Sequence, residues 1–243
     1  MPPVIQLPQP LCSDTSISNP GVHSWESTKL GDEPLARLYS SASTVDRVAE
    51  TMKTGALLLH PIHPHDTPSL EHLRKRLHRI GLIGIAHGAQ GWQYLAGDRF
   101  FQLINFLGCS PSLRLSPLAD GDEEFCQIKV LGPFPEPRLL SAANTRPPGC
   151  PHCGKKLEGW NRLAETWRLG HTTKIACPSC TRSSPPELLR WRRKAGVARL
   201  FLAITPIFPE EALPSPELMT QLEDGGGGWA YFYLQGWEGR IDL

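Results

Sequence analysis

Cys150-Pro151-His152-Cys153 and Cys177-Pro178-Ser179-Cys180 are two Cys-x-x-Cys pairs with 23 residues between them. Each short turn brings two sulfurs close enough to grip one ion, and two such pairs at this spacing make a metal site. Four thiolates complete a closed tetrahedral shell, which suits Zn²⁺; tetrahedral iron needs the same sulfurs and is the rival. The expected ligands are Cys150, Cys153, Cys177 and Cys180. A full shell leaves no position for water or substrate, so the ion is expected to hold the fold and not to catalyse.

The first pair continues as Gly154-Lys155-Lys156. This Cys-Pro-x-Cys-Gly turn resembles the knuckle shared by zinc ribbons and rubredoxins. Gly after the second cysteine tolerates the left-handed backbone that turns amide N–H groups toward sulfur. The second pair is followed by Thr181, not Gly, so the match there is looser. The resemblance covers about 35 residues, Cys150 to Cys180 and their neighbours. It implies a small three-stranded ribbon and nothing about the rest. His152, inside a knuckle, and His171, in the insert, are read as bystanders because the thiolates fill the shell.

Charge is distributed unevenly around this module. Cys150 to Arg199 carries 11 Lys+Arg against 3 Asp+Glu, whereas the remainder carries 14 against 21. A basic module on an acidic body points either to an anionic partner or to attraction between the two parts. Lys155, Lys156, Arg190, Arg192, Arg193 and Lys194 are the candidate contacts for such a partner. Trp160 and Trp167 lie among basic residues of the insert. That pattern suits nucleic acid, by stacking and phosphate contact, or internal packing of the ribbon onto the body.

The chain of 243 residues, 40% hydrophobic and 20% charged, has an ordinary globular composition, but its 24 prolines favour short elements. No apolar run approaches the 18 or so residues of a membrane helix. Met1 to Pro10 has neither a basic start nor an apolar core. A cytoplasmic location with no membrane partner is the expectation, and the odd number of cysteines, seven, fits a reducing compartment. Cys12, Cys109 and Cys126 are read as small buried or incidental thiols.

Four segments are expected. Residues 1–42, rich in Pro, Ser, Gly and Asn, read as an extended arm, with Trp25, Leu35 and Leu38 as anchors. Residues 43–145 read as an α+β body, 146–184 as the zinc ribbon, and 185–243 as a helix-strand-helix-strand segment completing the body. A first helix is expected from Ser43 to Gly55, then a strand at Ala56–Leu59. A second helix starts at Thr67-Pro68 and stops at Gly81. A strand at Leu82–Ala86 follows, and a helix capped by Asp98 runs to Leu107. A hairpin joins Leu113–Leu115 to Phe125–Leu131 across the acidic turn Asp120–Glu124. Pro185-Pro186 opens a helix through Lys194, Leu200–Ile204 is a strand, and Ser215-Pro216 caps a short helix. Trp229–Leu234, apolar on both faces, reads as a central strand. The fold class is α+β, a mixed or antiparallel sheet with helices on one side, plus the four-Cys ribbon.

His60, His63, His65 and Asp66, with His72 further on, offer a possible second metal cluster, although Pro61 and Pro64 splay the rings. No Gly-x-Ser-x-Gly elbow, phosphate-binding Gly-Lys-Ser/Thr loop or His-Glu-x-x-His helix occurs. Glu123-Glu124 and Glu210-Glu211 read as solvated charges. The leading expectation is a non-enzymatic accessory protein that docks through the ribbon onto a larger protein assembly or an acidic protein surface. A nucleic-acid-binding adaptor is the alternative, and a metalloenzyme using His60–Asp66 is a second one.

Overall fold

A computed structural model describes residues 55–88, 92–107, 113–119, 122, 125–207, 210–223 and 227–237. All of them belong to one compact unit, Ser41–Leu243. The expected arm 1–42, the helix from Ser43, most of the acidic turn Asp120–Glu124, and Cys12 and Cys109 lie outside the described residues.

The centre is a six-stranded sheet in the order β12-β1-β10-β5-β3-β2, with every pairing antiparallel. Its strands are β1 (Gly55–Pro61), β2 (Ile83–His87), β3 (Gln93–Ala96), β5 (Gln127–Leu131), β10 (Phe201–Thr205) and β12 (Trp229–Gln235). Period-2 alternation divides each central strand between two cores. Leu57 and Leu59 of β1, with Leu202 and Ile204 of β10, face one core. Ala56 and Leu58, with Phe201, Ala203 and Phe232, face the other. This is why Ala56–Leu59 reads as an uninterrupted apolar run.

Three helices cover the first face: α1 (Leu70–Arg79), α2 (Phe100–Leu103) and α4 (Pro216–Leu222). Helix α1 buries Leu73 and Leu77 and leaves the basic residues Arg74, Lys75 and Arg79 exposed. It stops at Gly81, whose φ of 76° is left-handed, as the sequence predicts. Its N-cap is Ser69, two residues beyond the expected Thr67. In α4, Ser215 accepts the Leu218 N–H at 3.1 Å and Pro216 takes the first position.

Four expectations are corrected. The helix from Asp98 to Leu107 is only α2, because the chain turns extended as β4 (Ile104–Phe106) and pairs with β11 (Ala212–Pro214). The hairpin of 113–115 with 125–131 does not form a ladder. Strand β5 pairs with β10 and β3 instead, and the Cys126 N–H just before it donates to Arg114 O. The helix after Pro185 is a single 3₁₀ turn, Pro186–Leu188. Arg190 then pairs with the backbone of Gly149 and a tight turn follows, so long-range pairing overrides the local helical pattern.

The fourth correction concerns β12, which lies at the end of the sheet and not at its centre. It is apolar on both faces because both cores reach the edge. Its outer edge is closed by the Asn144 side chain and by one backbone carbonyl. Asn144 donates to Tyr233 O at 3.0 Å and accepts from Gln235 N–H at 3.0 Å, and Arg193 O accepts the Tyr233 N–H at 3.1 Å.

The four-cysteine module leaves and rejoins this body through a two-stranded stem, β6 (Arg138–Leu140) with β9 (Gly196–Ala198). Alternation again assigns the faces. Leu140 and Ala198 belong to the second sheet core, whereas Leu139 and Val197 belong to the core of the module. The stem is therefore the physical joint between the two cores.

Candidate metal centre

The module packs its own small core from Leu139, Leu157, Ala164, Trp167, Leu189, Trp191 and Val197. The insert between the cysteine pairs carries helix α3 (Asn161–Arg168), which buries Ala164 and Trp167. Trp167, 1% exposed, donates Nε1–H to Thr173 O at 2.7 Å. Trp191 meets both Trp160, at 5.4 Å, and Trp167, at 6.2 Å, edge to face. Its own Nε1–H is satisfied by Pro186 O at 2.9 Å. The tryptophans are thus used in packing. Strands are short here: β7 (Ile175–Ala176) pairs with β8 (Ser183–Ser184), and Gly149 bridges Lys156 on one side and Arg190 on the other.

The two knuckles are copies of one another. In the first, Cys150 N–H donates to Lys155 O and Gly154 N–H to Cys150 O, at 2.8 and 2.9 Å. In the second, Cys177 N–H donates to Arg182 O and Thr181 N–H to Cys177 O, at 2.9 and 2.8 Å. The fifth residue of each is left-handed: Gly154 at φ 75° and Thr181 at φ 60°. Thr181, a β-branched residue, takes the conformation for which the first knuckle uses glycine. The geometry of the turn, not the residue, is what the site requires.

This pairing brings all four sulfurs within 4.8 Å of one another. Cys150 Sγ lies 3.7 Å from Cys180 Sγ, and Cys153 Sγ lies 3.6 Å from Cys177 Sγ. A tetrahedral ion with metal–sulfur bonds near 2.3 Å requires sulfur–sulfur edges of roughly 3.8 Å. The donor set and its spacing fit a metal ion, zinc being well suited. Cys150 and Cys177 are buried in the module core, whereas Cys153 is exposed.

The backbone prepares two of the thiols for ligation. Burial raises the Cys150 thiol, but the amides of Cys153 and His152 aimed at its sulfur outweigh this and bring it to about 6. Cys177 is likewise lowered, its burial outweighed by the amides of Cys180 and Ser179. At Cys180 the Arg182 amide lowers the thiol, yet burial and the three neighbouring sulfurs push it up to about 11. A cation shared by all four sulfurs removes that crowding, because metal binding displaces the protons.

Basic groups ring the knuckles. Arg190 donates Nη2–H to Pro151 O at 2.9 Å, and Arg182 Nη1 lies 3.5 Å from His152 Nδ1. Lys155, Lys156, Arg190, Arg192 and Arg193 are exposed. Among the described residues, none of these five forms an ion pair, whereas Lys194 pairs with Glu210 at 2.9 Å. Self-attraction between module and body thus engages one member of the expected basic set.

The histidine loop is organised differently. His60 turns inward, with its ring 5.5 Å from Phe232 and 5.9 Å from Phe201, and shares a bond of 2.8 Å between Nδ1 and Pro61 O. Burial lowers it to about 4, against a smaller opposing effect of that bond. His63, His65 and Asp66 are exposed. Among the described residues, the cysteines form the sole group of three or more clustered metal-ligating side chains. Cys126 is buried, and burial, with Glu211 nearby, pushes its thiol up to about 12, which makes it unreactive.

Among the described residues, no helix is long and apolar enough to cross a membrane. No protein-family model matches the chain, and neither a curated protein nor a solved structure matches it.

Proposed function

We propose that this protein is a non-enzymatic adaptor. Its four cysteines hold one structural zinc ion in a zinc-ribbon-like site, and the basic face around that site docks onto an acidic surface of a larger protein assembly. The observation that carries this reading is the unneutralised set Lys155, Lys156, Arg190, Arg192 and Arg193, exposed on a module that buries Trp167 and Trp191 and packs Trp160 against them. Single-stranded nucleic-acid binders combine basic grooves with available aromatic faces. Here Trp167 and Trp191 are buried and Trp160 is half-buried with its ring against Trp191, so the face offers much charge and little aromatic surface for stacking. That favours carboxylates of a protein partner. Four thiolates saturate zinc, so the ion is assigned a folding role.

The test has two parts. Elemental analysis of the purified chain should find one zinc per molecule. The chain should then bind poly-glutamate at low ionic strength more tightly than an oligonucleotide of equal charge, and Arg190→Ala with Arg192→Ala should weaken that binding at least tenfold. Tighter binding to the oligonucleotide, with a steep salt slope, would establish the nucleic-acid alternative instead.

A further inference from the structure

Beside the stem, where the module meets β1 and β12, lies a cleft of about 400 Å³ lined by His60, Glu187, Trp191, Arg193, Ala230 and Tyr231, among others. We infer that this cleft is the anchor pocket for an acidic peptide segment of the partner, taking one aliphatic or aromatic side chain whose neighbouring carboxylate meets Arg193. The inference rests on the docking role assigned to the basic face.

Three features of the cleft define that ligand. First, Arg193 is positioned. Arg192 and Arg193 are consecutive left-handed residues, at φ 53° and 59°, in a two-residue turn closed by Lys194 N–H to Trp191 O at 3.1 Å. Such a turn normally uses Asn and Gly. Here it is held from outside, because Thr145 donates to Lys194 O at 2.8 Å and Tyr233 N–H donates to Arg193 O at 3.1 Å. The Arg193 guanidinium lies over the Tyr231 ring, 4.4 Å from its centroid, exposed and without a carboxylate among the described residues. A fixed, stacked guanidinium loses little freedom on meeting an anion.

Second, apart from Glu187, Arg193 and His60 the lining residues are aromatic or apolar, Trp191, Ala230 and Tyr231 among them, and His60 packs its ring against Phe201 and Phe232. They suit an uncharged side chain. Third, one buried carboxylate oxygen of Glu187 has no protein donor among the described residues. A buried acceptor gains from a donor, and a peptide N–H supplies one. An acidic side chain, an apolar side chain and a main-chain N–H are the elements of a short acidic peptide. The turn that lines the cleft also supplies Arg192 to the basic face, so pocket and face form one surface.

The experiment uses the zinc-loaded full chain and labelled nonapeptides of alternating Asp and Glu with a central Phe or a central Ala. At low ionic strength the Phe peptide should bind about tenfold more tightly, the effect of burying most of one such side chain. Arg193→Ala should weaken both peptides. Ala230→Trp, which fills the cleft from a half-buried position, should erase the difference between them. A photoreactive benzophenone at the central position should cross-link to cleft residues in the unaltered chain, which tests the site even if a variant misfolds. Equal affinity of the two peptides, or a Phe advantage that survives in Ala230→Trp, overturns the pocket while leaving charge-based docking intact. Binding of neither peptide, or tighter binding of an oligothymidylate, overturns the docking role itself.

Discussion

Gly196→Ala tests the joint between the module and the sheet. Gly196 begins β9 and pairs with Leu140 across the stem. A Cβ built there falls 2.8 Å from Phe232 Cδ1 and 2.9 Å from Cζ, and nearer still to Cε1. Phe232 has no room to retreat. It is 1% exposed, with His60 at 5.5 Å and Phe201 at 6.1 Å against its ring. Overpacking a rigid core costs about 1–3 kcal/mol. Displacing the ring also weakens two edge-to-face contacts, each worth roughly 0.5–1.5 kcal/mol. The expected loss is therefore about 3 kcal/mol, read as a lower urea midpoint by tryptophan fluorescence. Phe232→Leu in the Gly196→Ala background should recover part of it, because the two sites are coupled through the clash. A loss below about 1 kcal/mol, or additive effects in the double variant, would refute the reasoning that β9 is pinned against this ring.

Cys177→Ser should abolish zinc binding and unfold or aggregate the module, because structural zinc supplies on the order of 10 kcal/mol in comparable small domains; a soluble variant with unchanged metal would show that the ligand set is wrong. At Thr181 the left-handed φ of 60° is strained, so Thr181→Gly should stabilise the module by about 0.5–1 kcal/mol. Gly154→Ala should cost about 1 kcal/mol through the backbone alone, since its Cβ would meet nothing nearer than Arg190 Nη1 at 3.8 Å. Zinc retention against a competing chelator measures both. His60 is held near 4 while an unfolded histidine titrates near 6.5, so the unfolded chain binds the extra proton first and stability falls as pH drops from 6.5 to 4. At 1.36 kcal/mol per unit the loss is at most about 3 kcal/mol. Comparison of wild type with His60→Phe isolates it from acid release of the metal, and an identical pH dependence in the two proteins would remove His60 as its source.

The four-cysteine cluster was legible because the knuckle is a local structure. Cys-x-x-Cys fixes two sulfurs within one turn, and the spacing alone pairs the turns. Caps and stops were legible for the same reason: Ser215 and Gly81 act on backbone within a few residues of themselves. The segment after Pro185 shows the limit. Its composition suits a helix, yet Arg190 forms an antiparallel bridge with Gly149, far away in sequence, and this long-range pairing outweighs a weak local preference. Residues 113–115 and 125–131 were joined by proximity in sequence, whereas β5 pairs instead with β10, more than 60 residues on.

The sequence by itself determined the α+β class and the four-cysteine centre, which depend on period, composition and short-range spacing. Tertiary structure alone decided that Trp160, Trp167 and Trp191 pack inward, that Thr181 copies the glycine of the first knuckle, and that β12 is an edge closed by Asn144. It alone placed Arg193 at the rim of a cleft. Each of these depends on groups distant in the chain meeting in space, and no local periodicity encodes which of them meet.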